Sequence, residues 1–500
     1  MSRPRKADYE GVKRSRAAGS MAAAASIPGP DSVVFDVDRV RPASITPDRA
    51  PDIAETPKAF SQKTVLRRGH GFTYAALFLF TVVLYARPAE FYPSPLTASI
   101  ALVLGLLTLV IFVPSQLGVE GGLTARPKEV NLVLGFCLTG LLSIPLALSP
   151  SEAWHTFTDT FIRCIVIFIV IVNVVRTESR LKGLLFLTLV VSIWLSLGAI
   201  NDYRLNLTTV EGYRVGGRGT GIFGNSNDMA LFLVTSVPIA IAFFLSARGP
   251  LRKVLYGACA SLMMAAIVLT YSRGGFVGLV AVLAFIGWKV GRRQRLTIAV
   301  CALILVVGFM LFAPGNYARR LASIVMPSLD PVGSSDVRRQ ILYRSIWTAL
   351  RHPLFGIGMG NFHNVSIQEL VSHNAFTQVA AEMGMAALFC YTMFIVTPLK
   401  RLGQVAREAF STRTQSSYYY LSIGLQASLL GYLVSSFFAS VAYLWYVYYL
   451  VGYAVCLRRL YEAETGREIF TERENAKRRR VGTRRNDEPS HGLQEIETLS

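Results

Sequence analysis

"PLTASIALVLGLLTLVIFVP", residues 95–114, is a run of 20 residues without a single charge. As an α-helix it would be about 30 Å long, the thickness of the hydrocarbon core of a bilayer. Backbone N–H and C=O groups find no water there, so a spanning segment must satisfy them internally, as a helix or a closed barrel. The alternating pattern of barrel strands is absent. Runs of the same kind recur at 70–87, 129–148, 157–175, 182–200, 228–247, 253–271, 274–290, 296–313, 381–399, 417–436 and 439–457. The expected fold is all-α, a polytopic transmembrane helical bundle of about twelve spans. Of the 500 residues 52% are hydrophobic and 16% charged, which excludes an ordinary soluble domain.

Positive charge sets the expected orientation. Lys63, Arg67 and Arg68 precede the first span. Arg126 and Lys128, Arg176 to Lys182, Arg248 to Lys253, Lys289 to Arg295 and Lys400 to Arg413 then fall in alternate loops. Both termini are thus expected in the cytoplasm. Two sizeable outer loops remain, at 201–227 and at 314–380; the second lies between spans nine and ten and contains helices. Residues 1–66 have no apolar core. They read as a disordered basic cytoplasmic tail with no cleavable signal. Residues 458–500, with "KRRR" at 477–480, read as a second charged tail, most simply a solvated one. The transmembrane part is 67–457.

The net charge of +20 follows this topology and implies no nucleic-acid partner. Every lysine falls on the expected inner side, whereas the outer cations are all arginine. Arginine forks onto phosphate oxygens through two parallel bonds. The chain's general preference for arginine over lysine is the plainer explanation. The six cysteines sit in apolar runs and form no CxxC, so they read as packing residues. No HExxH, paired carboxylate or Cys/His cluster calls for a metal, and no cofactor is expected.

Four outer elements carry residues suited to chemistry. "RVGGRGTGIFGNSND", 214–228, combines glycines that let backbone approach a ligand with Arg214, Arg218, Asn225 and Asn227. Its plain reading is a flexible loop with an Asn or Asp helix cap. "YSRGG", 271–275, sets Arg273 at the membrane face, where an ionisable group is costly and a functional candidate, or else snorkels to head groups. "DVRRQILYRSIWTALRHPLFGIGMGNF", 336–362, holds an amphipathic helix and then a glycine run that reads as a close-packed turn. "VSHNAFTQVAAEMG", 371–384, offers His373, the side-chain type best suited to take a proton near neutral pH, with Asn374 beside it. Glu382, nine residues on, either orients a basic group or simply starts a span. His155, His352 and His363 are also outside, and His155 competes for the role. Asp159 and Arg163, at i,i+4, are expected to pair, with Arg163 also placed to line an anion site.

"RGTGIFGNSND", "YSRGG", "HPLFGIGMGNF" and "SHNAFTQVAAEMG", in this order, resemble the O-antigen ligase and polymerase superfamily of bacterial inner-membrane glycosyltransferases. The resemblance covers residues 70–457. It implies an inverting, metal-independent transfer of a glycan from a polyprenyl diphosphate to an acceptor hydroxyl on the periplasmic face. The acceptor would be lipid A-core or a similar glycolipid or glycan, in a bilayer setting. It also implies that Arg218 and Arg273 hold the donor diphosphate and that His373 is the base; Asn225, Asn227, Asn374 and Glu382, from the same stretches, are expected to support them. Arg214 competes with Arg218 as phosphate ligand. Asn225-Ser226-Asn227 departs from the family, which often has a proline between the asparagines. The alternatives are a polymerase that joins lipid-linked repeats into O-antigen or exopolysaccharide, a protein-glycosylating ligase, a transporter of an anionic lipid-linked sugar, and a non-catalytic scaffold. A transporter calls for pathway charges deep in the bundle, and these are sparse.

Overall fold

The computed structural model describes residues 69–207, 214–216, 223–291, 334–411 and 416–469. Residues 1–66, Arg218, the expected ninth span 296–313 and residues 470–500 lie outside the described residues. Among the described residues the protein is helical, with no strand. The helices are α1 (Gly71–Ala86), α2 (Pro88–Phe91), α3 (Pro95–Glu120), α4 (Lys128–Ser143), α5 (Pro150–Thr156), α6 (Ile162–Val174), α7 (Glu178–Arg204), α8 (Ser226–Ser246), α9 (Pro250–Leu269), α10 (Arg273–Gly291), α11 (Ser334–Arg351), α12 (Ala375–Ser411), α13 (Ser416–Ser435) and α14 (Trp445–Thr465). A single π-helical turn, Phe157–Phe161, joins α5 to α6.

Among the described residues nine segments are long and apolar enough to cross a membrane: α1 with α2, α3, α5 with α6, α7, α8, α9, α10, α12, and α13 with the turn after it. The expected spans at 129–148 and 439–457 are helical only in part, as α4 and α14, and fall outside that group. α4 has only 16 residues. α14 closes on Arg458, Arg459 and Glu462 and runs on to Thr465, past the expected end of the transmembrane part.

Helix starts follow local chemistry. Ser94 and Thr97 form a capping box at α3, Thr177 caps α7, and Asn225 caps α8 by accepting from the Asn227 N–H at 2.8 Å. α12 starts at Ala375, six residues before the expected span. Asn374 Oδ1 accepts from the N–H groups of Phe376 (2.9 Å) and Thr377 (3.1 Å) and so caps it.

α12 is broken at Gly384 (φ 86°). A break leaves backbone groups that hydrocarbon cannot satisfy. The chain at 353–358 supplies the partners: Pro353 O accepts from Met385 N–H (2.8 Å), and Ile357 and Gly358 donate to the Ala381 and Glu382 carbonyls (3.0 and 2.9 Å). A Cβ on Gly384 would stand 2.6 Å from the Leu354 carbonyl carbon. The glycine run at 356–360 is therefore a packed turn, as expected from its sequence.

Charged residues from several loops collect at one end of the bundle. Glu129 on α4 is fully buried and pairs with Arg401 of α12 (3.2 Å) and Arg458 of α14 (3.1 Å). Arg176 pairs with Glu120 at 2.6 Å, and Arg180 donates to Gly69 O at 2.8 Å. These are the loops that the charge pattern assigned to a single side. Arg458 is thus a buried structural cation, although the sequence placed it at the start of a charged tail. The core between the two ends is Phe, Tyr, Leu and Val from α6, α8, α12, α13 and α14.

Candidate functional site

The opposite end holds the candidate residues. Arg214 is buried at 3% exposure. Its Nε donates to Thr270 O (3.0 Å) and its Nη2 to Asn227 Oδ1 (2.9 Å). The Ser272 hydroxyl donates to the same Asn227 oxygen at 2.9 Å. Arg214, the first turn of α8 and the 270–272 turn thus form one hydrogen-bonded unit. Arg273 follows directly and opens α10.

The glycines after Arg273 are demanded by close approach. A Cβ on Gly274 would lie 2.6 Å from the Cβ of Phe438, and one on Gly275 2.7 Å from that of Ala230. Ser435 Oγ donates to Gly274 O at 3.4 Å. The Arg273 turn therefore rests on the segment that follows α13.

The same segment holds His373. The Ser440 hydroxyl accepts the His373 backbone N–H at 2.8 Å. Ser440 is two residues from Phe438, about 7 Å of chain at most. Phe437 and Phe376, the latter three residues after His373, pack with ring centroids 4.7 Å apart. Arg214, Asn225, Asn227, Arg273 and His373 are thereby linked through residues 435–440. His373 has φ 52°, a left-handed conformation that costs a non-glycine residue of order 1–3 kcal/mol and persists only where surroundings hold it. Burial, and secondarily the Arg338 guanidinium on α11, pushes its imidazole down to about 4. The ring is neutral at pH 7 and can accept a proton.

The other candidates separate from this group. Glu382 is buried, and its carboxylate accepts from Gly360 N–H (3.0 Å), Phe362 N–H (3.3 Å) and the Tyr443 hydroxyl (2.8 Å). Of its two sequence readings, neither the orienting of a base nor the start of a span describes this: it fastens the glycine turn to α12. Asn374 is a helix cap. His155 and His352 are exposed. His363 bonds to Gly360 O (2.8 Å) and faces Glu152 at 3.2 Å. Asp159 and Arg163 pair as expected, at 3.2 Å.

Sequence reasoning missed three residues. Ser272 lay within the YSRGG stretch but Arg273 alone was singled out there, and Ser440 carried no signal, being a serine in apolar surroundings. Arg338 was one of several outer arginines. A helical wheel of α11 sets it near the face of Ile341 and Ser345, which pack inward.

No group of three or more His, Cys, Asp or Glu suited to a metal occurs among the described residues. No curated protein matches the chain. Residues 258–392 match the family model described as O-antigen ligase. The match runs from α9 into α12 and takes in the 270–272 turn, Arg273, Arg338 and His373, while Arg214 and the first turn of α8 lie before it. Residues 258–392 are thus similar to the O-antigen ligase family, in a chain whose described residues hold nine helices long and apolar enough to cross a membrane.

Proposed function

We propose that the protein is an inverting, metal-independent glycosyltransferase that moves a glycan from a polyprenyl diphosphate to an acceptor hydroxyl on the periplasmic face of the bacterial inner membrane, with both termini cytoplasmic. The observation that carries this reading is His373, strained, half-buried and neutral, on the segment that also supports the Arg273 turn.

The reaction follows from those residues. The acceptor hydroxyl attacks the anomeric carbon from the face opposite the diphosphate. The new C–O bond forms as the bond to the diphosphate oxygen breaks, and the configuration inverts. His373 takes the hydroxyl proton, and the electron pair leaves with the diphosphate. Diphosphate is a good leaving group, so charge stabilisation by Arg273 and Arg218 takes the place of a strong acid. Arg214 has two of its donors engaged with Thr270 and Asn227, which suits a brace for the turn better than a phosphate ligand. Proton transfer and alignment supply the rest of the acceleration.

The test is product mass from purified protein given a polyprenyl-diphosphate oligosaccharide with lipid A-core or, separately, a second lipid-linked repeat. Glycan on lipid A-core supports the ligase. A ladder of longer lipid-linked chains makes it a polymerase, and no transfer to either refutes the reading.

A further inference from the structure

A cavity of about 610 Å³ opens between α1, α3 and the π turn with α6. This is within the usual size of small-ligand sites, about 300–1,000 Å³. Its body is apolar, walled by residues such as Phe80, Leu84, Ala101, Gly105 and Ile167. Along α3 the wall runs from Thr97 to Leu109, about 18 Å of helix, or roughly one leaflet of the hydrocarbon core.

The mouth is polar and lies at the candidate-site end. Arg87 and Glu90 stand 2.8 Å apart there, as do Arg163 and Asp159 at 3.2 Å. Each cation has its own carboxylate, so the mouth has no net charge. Arg87 Nη1 is nonetheless buried without a hydrogen-bond partner, since the ion pair is made through Nε. Buried polar atoms of this kind call for a partner. Arg87 is held at φ 45°, between two helices, which fixes its position at the rim. Leu444 and Trp445 close the wall, four and five residues after the Ser440 that holds His373.

We propose that this cavity seats the acyl chain of a glycolipid acceptor, with its sugar at the Arg87/Glu90 and Arg163/Asp159 mouth. Two features select that occupant. A neutral rim of paired donors and acceptors matches sugar hydroxyls, which both donate and accept, whereas a diphosphate asks for uncompensated positive charge. A cavity one leaflet deep fits an acyl chain, not the full length of a polyprenyl tail. The proposal rests on the glycosyltransferase reading and favours a lipid-anchored acceptor over a second diphosphate-linked repeat.

The experiment is photolabelling of the full chain in nanodiscs with a glucosyl lipid that carries a diazirine near the middle of its acyl chain. Label is expected on peptides 97–109 and 158–167, displaced by excess unlabelled glucosyl lipid and not by polyprenyl diphosphate. In Ala101→Trp, which sets an indole across the cavity wall and narrows it, that label falls at least tenfold and the KM for the glycolipid acceptor rises by a similar factor. Displacement by polyprenyl diphosphate at equal concentration would assign the cavity to the donor and overturn the proposal. So would label spread evenly over the lipid-facing helices, or label that no lipid displaces. Wild-type acceptor KM in folded Ala101→Trp would sink the acceptor role while leaving the transferase reading intact. Specific labelling without any glycosyl transfer would overturn the transferase reading and the acceptor role with it, leaving a glycolipid site alone.

Discussion

The neutral state of His373 yields a pH dependence with a definite sign. The free protein holds the imidazole at about 4, so the acid limb of kcat/KM, which reports free enzyme, is expected near that value. Bound donor adds a diphosphate diester, whose charges favour the protonated ring. One net negative charge about 8 Å away at an effective dielectric of about 20 contributes about 2 kcal/mol, which lifts the limb by about 1.5 pH units. The acid limb of kcat, which reports the complex, should therefore lie above that of kcat/KM. Arg338→Gln removes the repelling guanidinium and should move the kcat/KM limb upward. The shift stops short of 6.5, because burial is the larger cause and persists. The assay is initial transfer rate from pH 4 to 8 in wild type, Arg338→Gln and His373→Asn. A kcat/KM limb at 6.5 in wild type, a limb unmoved in Arg338→Gln, or one that survives in His373→Asn would refute the reasoning.

Three further outcomes are expected. Ser440→Ala removes the partner of the His373 N–H, and loss of about 1–1.5 kcal/mol of positioning should lower kcat about tenfold with little change in melting temperature. Gly274→Ala drives a methyl against Phe438, and overpacking of about 1–3 kcal/mol should lower both transfer rate and melting temperature. Glu129→Ala leaves Arg401 and Arg458 buried without their carboxylate, a loss of about 3–5 kcal/mol. It should show as a large fall in melting temperature, with donor KM unchanged in the protein that remains folded.

The bundle was legible because hydrocarbon imposes a strong rule. A run such as 95–114 has one outcome in a bilayer, and the charge pattern put the loops that carry Lys128, Arg401 and Arg458 on one side, where Glu129 now pairs with the two arginines. The limits were local. The helix that begins at Ala375 looked like a span starting at 381, because the Gly384 break within it is held by the turn at 353–358, which is distant in sequence. Glu382 illustrates the same limit at the site. A carboxylate in an apolar helix suggests chemistry, but its partners, the Gly360 and Phe362 amides and Tyr443, come from two other segments. His373 stood out by type, whereas the features that make it a base candidate, the Ser440 clamp and the Arg338 field, arise only from packing. Arg214 and Arg218 were equivalent in sequence, and only folding showed Arg214 engaged with Thr270 and Asn227.

The most direct test of the central claim is single-turnover transfer by purified wild type and His373→Ala, with saturating polyprenyl-diphosphate glycan and glycolipid acceptor. Removal of a general base should slow the step roughly 10²–10⁴-fold. Donor affinity should hold, since the arginines remain, and the wild-type product should carry the inverted anomeric configuration. A His373→Ala protein that transfers at the wild-type rate, or a wild-type product with retained configuration, would contradict the account.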